Sequence, residues 1–104
     1  MKIRRMSIAS SINERIELIF KQLGCKKINH HGQAVSSIIT TPEVMHEKVE
    51  IALEQLKPLG YNRVSNSEKH FWYISDSRKK LDTITIEAQA EGFSKERQEF
   101  LIYW

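Results

Sequence analysis

The side chains best suited to chemistry are Cys25, His30, His31, His46 and His70. A thiolate and several imidazoles are ligands for zinc and related ions, and Cys25, His30 and His31 fall within seven positions. Their spacing argues against such a site. Neither Cys-x-x-Cys nor His-x-x-x-His occurs, and adjacent histidines in a loop point apart more often than they chelate. Metal ligands and a cofactor are therefore not expected. Cys25 reads as a small buried residue just after a helix end.

Acid–base chemistry is the next use for imidazoles. A metal-independent ribonuclease needs a base for the 2′-hydroxyl proton, an acid for the leaving oxygen and cations for the phosphate. His30, His31 and His70 with the basic side chains meet that need in composition, but no spacing joins a particular imidazole to a particular carboxylate. His46 and Glu50 lie one helical turn apart and read as a surface pair. Ser36, Ser37 and Ser65 lack the flanking glycines of a strained nucleophile turn. The glycines at 24, 32, 60 and 92 are isolated, so no phosphate-cradling loop exists. No catalytic residue is assigned, and the chain reads as non-enzymatic.

The elements that would position any site follow from periodicity. Ser11-Ile12-Asn13-Glu14 has the form of a capping box, and Ile12, Ile16, Ile19, Phe20 and Leu23 recur at helical spacing up to Gly24. An amphipathic helix over 11–24 is expected. The uncharged stretch 33–40, with Val35, Ile38, Ile39 and Thr40, reads as a strand. Thr41-Pro42 then opens a second helix over 42–57, with an apolar stripe of Met45, Val49, Ala52, Leu53 and Leu56, stopped by Pro58 and Gly60. The remainder reads as strands at 61–65, 70–75, 81–89 and 100–104, with one helical turn at 94–96.

This order predicts an α+β fold: a two-layer sandwich with two amphipathic helices on one face of a mostly antiparallel sheet of four to five strands. Its 104 residues, 40% hydrophobic and 28% charged, suit a single domain over 1–104. One cysteine precludes an intramolecular disulfide and fits a reducing compartment. The basic start at 1–5 leads to no apolar run of signal or membrane-span length, so a cytoplasmic protein with no membrane partner is expected.

Alternation raises the question of function. Trp72 and Ile74 share one face of their strand with His70, whereas Phe71, Tyr73 and Ser75 share the other; likewise Phe100, Ile102 and Trp104 oppose Leu101 and Tyr103. Two helices cover only one face. Thr83, Thr85 and Glu87 are the polar side of their strand. The surplus aromatics, framed by Thr83, Thr85 and nearby basic turns, then form a contact patch unless the last strand or the N-terminal segment folds over them.

Charge is unevenly spread. Sixteen Lys and Arg face 13 Asp and Glu, but residues 1–30 hold seven basic side chains against two acidic ones. Glu43, Glu47, Glu50 and Glu54 line a flank of the second helix, and Arg78, Lys79 and Lys80 form a basic turn. Such a dipolar surface orients encounters.

The expected function is binding of another protein, as bacterial or phage inhibitors, immunity proteins and regulatory adaptors do. Phe71, Tyr73, Leu101 and Tyr103 would make the contact, oriented either by Arg78, Lys79 and Lys80 or by Glu47, Glu50 and Glu54. The alternative is an RNA or single-stranded-DNA module that stacks bases on Phe71 and Tyr73 and holds phosphates with Lys26, Lys27 and the basic turn, although the glycine-and-aromatic signature of the common RNA-recognition strand is absent. A ribonuclease is the third reading. The pattern is equally met by a homodimer joined sheet to sheet, or by the C-terminal strand as an edge.

Overall fold

The computed structural model describes residues 8–68, 70–89 and 97–104, with side chains from residue 12 onward. Helix α1 spans Ile8–Gln22. It is already running before Ser11, so Ser11 and Glu14 lie inside the helix and do not cap it. No glycine or proline stands between Ile8 and Ser11 to stop the helix extending backwards. Its other end is as expected. Gly24 takes the left-handed conformation (φ 101°), and the N–H groups of Gly24 and Cys25 bond the carbonyls of Lys21 and Phe20, both at 3.0 Å. Lys48 reaches across from the second helix and donates to the Leu23 carbonyl at 2.7 Å, a cation at a helix C-terminus.

Strands β1 (Lys26–His30) and β2 (Gln33–Thr40) form a hairpin. β1 is the strand that the periodicity did not predict, because Ile28 is its only apolar side chain. The turn accounts for it: His31 and Gly32 both have positive φ (52° and 82°), the two-residue geometry that matches strand twist, and Asn29 accepts from the Gly32 N–H at 2.8 Å. Thr41 then caps helix α2 (Pro42–Leu56), its side chain accepting from the Val44 N–H at 3.1 Å. A short 3-10 turn, Lys57–Leu59, ends at Gly60.

Strands β3 (Arg63–Ser67), β4 (Phe71–Ser75), β5 (Ile84–Gln89) and β6 (Gln98–Tyr103) complete the chain. The expected segments are present with shifted ends; Tyr61, read as part of a strand, is instead a buried loop residue whose hydroxyl donates to the Asp82 carbonyl at 2.8 Å. The helical turn expected at 94–96 lies outside the described residues. The sheet has six strands in the order β1-β2-β6-β5-β4-β3, every neighbouring pair antiparallel, so β1 raises the count above the expected four to five.

The last strand is not an edge. β6 lies between β2 and β5, so both its sides are bonded and it cannot join two chains by edge pairing. The edges are β1 and β3. Counting along the sheet, β2 and β3 run parallel, and α2 carries the chain between them over three intervening strands.

Register assigns every strand residue to a face. Trp72, Ile86 and Ile102 lie in one row, and Ile74 with Ile84 and Phe100 with Ala88 extend the same side. Against them pack Ile16, Ile19 and Phe20 of α1 and Met45, Val49, Ala52 and Leu56 of α2. Phe100 sits 5.8 Å from Trp72, and Phe20 stacks on Trp104 at 6.3 Å. The two predicted helical stripes form this core, except that Ile12, Leu23 and Leu53 are only partly buried. Replacing the fully buried Leu56 by Ala is expected to lower stability by about 2–5 kcal/mol in urea unfolding, and Leu53→Ala by less, because only the first opens a closed cavity.

Candidate functional site

Both helices cover the same face, and among the described residues none packs on the other. That second face carries Lys26, Ser37, Leu101, Glu87 and Phe71 in one row from β1 to β4. The adjacent row holds Tyr103, Thr85 and Tyr73, with Ser65 beyond Tyr73 on β3. Phe71 is 37% exposed and Tyr73 45% exposed, values that leave a ring of each open to a partner. Tyr103 is half-buried.

Leu101 departs from expectation. It is fully buried although it faces away from the helices, in the row between Ser37 and Glu87. Leu101 therefore supports the patch from beneath and contributes no contact surface. Val35, on the same side of β2, is buried as well.

Glu87 is the residue that the sequence reading passed over, noting it only as the polar side of its strand. It stands between Phe71 and Leu101, with Tyr73 and Tyr103 diagonal to it. The Tyr103 hydroxyl bonds its carboxylate, and desolvation first, then this negative charge and hydrogen bond, raise the Tyr103 phenol. The interior of the aromatic patch is thus anionic.

The expected cations are dispersed. Lys26 shares the row of Phe71 but lies four strands away, roughly 19 Å at ordinary strand spacing. Lys27 faces the helices and pairs with Glu17 at 2.9 Å. In the basic turn, Arg78 is committed to Asp76: its Nε donates to the carboxylate at 2.9 Å, its Nη2 at 3.3 Å, and its backbone N–H at 2.9 Å. The Lys80 N–H adds a fourth bond at 3.1 Å. Lys79 and Lys80 are exposed, and Lys79 lines a depression of about 360 Å³ with Arg63, Ser75 and Thr83 at the end of the face.

The acidic flank lies on the other layer. Glu47, Glu50 and Glu54 are exposed on α2, where Glu50 faces His46 at 3.6 Å and Glu54 pairs with Lys57 at 2.7 Å.

The imidazoles and the thiol do not converge. His30 and His31 touch edge to face at 4.3 Å at one corner of the sheet. His70, bonded through Nδ1 to the Glu68 carbonyl at 2.7 Å, lies at the opposite corner. His46 Nδ1 meets Asn66 Nδ2 at 3.2 Å. Cys25 is buried among Phe20 and its neighbours, and burial, partly offset by Lys48, pushes its thiol up to about 11. Among the described residues no three metal-ligating side chains gather, and no helix is long and apolar enough to cross a membrane.

No protein-family model, curated protein or solved structure matches this chain.

The Asp76 turn yields a pH prediction. Its side chain is buried, and the Arg78 side-chain bond first, with the backbone N–H bonds, holds its pKa down at about 2, below the usual carboxylate range. A depressed carboxyl stabilises the fold above its unfolded value, and that contribution is lost as pH falls from about 4 towards 2. Thermal melts across this window should show a falling Tm in the wild type and a flatter profile in Asp76→Asn.

Proposed function

We propose that this chain is a small non-catalytic binding protein, of the inhibitor, immunity or regulatory-adaptor kind, which engages another protein through the face of its sheet opposite the helices. The observation that carries this reading is the pair Phe71 and Tyr73, adjacent on one strand and both open to water. Exposed aromatics that present a large area at low conformational cost are the usual energetic centre of protein contacts. Thr85 and Glu87 supply polar groups beside them. A cytoplasmic setting fits the buried free thiol of Cys25.

A nucleic-acid platform on the same rings is less well supported. A stacking surface holds phosphates with cations at its margin. Here a carboxylate occupies the middle of the surface, Arg78 is tied to Asp76, and Lys26 and Lys27 face opposite ways.

Immobilised protein exposed to a native lysate, with and without nuclease, tests the reading. Tyr73→Ala should abolish recovery of a protein partner while changing unfolding free energy by no more than about 1 kcal/mol. Ile51→Ala, on the helix layer, should leave recovery intact. Recovery that survives Tyr73→Ala, or that disappears with nuclease, contradicts it.

A further inference from the structure

We infer that the partner presents a basic side chain, best an arginine, to a carboxylate set inside the aromatic patch. This rests on the reading of the face as a protein contact and adds the chemistry of the group it receives. Glu87 is flanked in its own row by Phe71 and Leu101 and diagonally by Tyr73 and Tyr103. Tyr103 stands close enough that its phenol, raised first by desolvation, is raised further by the Glu87 charge and a hydrogen bond to it. An anion framed by apolar and aromatic groups is weakly matched by water and closely matched by a guanidinium. That group is planar, stacks on ring faces, donates to both carboxylate oxygens at once and is less strongly hydrated than an ammonium.

The surrounding charge has the same sign. Glu99, opposite Gln89, is the diagonal neighbour of Glu87 on β6, about 7–8 Å away by strand geometry. Among the described residues, the cations on this face stand at its borders: Lys26 on β1, Arg63 on β3, and Arg97, whose Nη2 donates to the Ile39 carbonyl at 3.3 Å. The centre of the patch is thus complementary to an incoming cation and repels a phosphate.

The test uses the whole protein and two blocked pentapeptides, Gly-Gly-Arg-Gly-Gly and its citrulline counterpart, which keeps the shape of arginine and loses its charge. In NMR titrations the arginine peptide should shift the resonances of Phe71, Tyr73, Glu87 and Tyr103 with millimolar affinity. Glu87→Gln should weaken this about tenfold or more, and the citrulline peptide should bind the wild type weaker by a similar factor. Absence of any shift up to about 10 mM overturns the inference, as does an equal response to citrulline or to Glu87→Gln. If Glu87→Gln fails to fold, the comparison of peptides on the wild type decides alone. Should arginine fail here while recovery of a partner remains sensitive to Tyr73→Ala, the contact surface stands and only its charge assignment falls. Insensitivity of that recovery to Tyr73→Ala removes both.

Discussion

Everything described depends on Trp72 being locked into the core. Its indole packs on Phe100 at 5.8 Å and faces His46 of α2 at 6.2 Å, leaving it 1% exposed. Because a strand alternates strictly, fixing Trp72 inward fixes Phe71 and Tyr73 outward, and a slip by one residue would expose the largest side chain of the core. The contact surface and the core are therefore set by one register. Two further constraints hold that register: Ile74 opposite Ile84 extends the buried row, and the Asp76 carboxylate gathers the backbone and side chain of the following turn.

Local chemistry in the sequence was enough for the helices and most of the sheet. Thr41-Pro42 and the stop at Gly24 act over a few residues, and β-branching at Val35, Ile38 and Ile39 acts within one strand. What escaped was set by distant partners. Lys26–His30 has little intrinsic claim to be a strand, and its conformation comes from pairing with β2 across a two-residue turn. Likewise the start of α1 is not marked by the capping box, whose pattern recurs wherever Ser and Glu fall at that spacing.

The surface was legible in part for the same reason. Alternation identifies which rings share a face, so Phe71 and Tyr73 were visible from spacing alone. The burial of Leu101 was not, since spacing alone does not tell which outward side chains are shielded. Glu87 was visible as a polar position, but its place among four apolar neighbours needs the register of β4, β5 and β6 together. Arg78 shows the converse: a cation by composition whose charge is already occupied by a buried carboxylate two residues earlier.

The interposition of β6 between β2 and β5 has a consequence for assembly. Among the described strands it alone joins the β1–β2 hairpin to the β3–β5 meander, and its pairing with β2 links positions 36–40 to 98–102. Closing so long a loop carries an entropic cost before any ladder bond is gained, which makes this the slow step of topology. During it, β2 and β5 each expose an uncapped row of amides and carbonyls, the template on which chains pair wrongly. Insertion of β6 covers both of those rows at once.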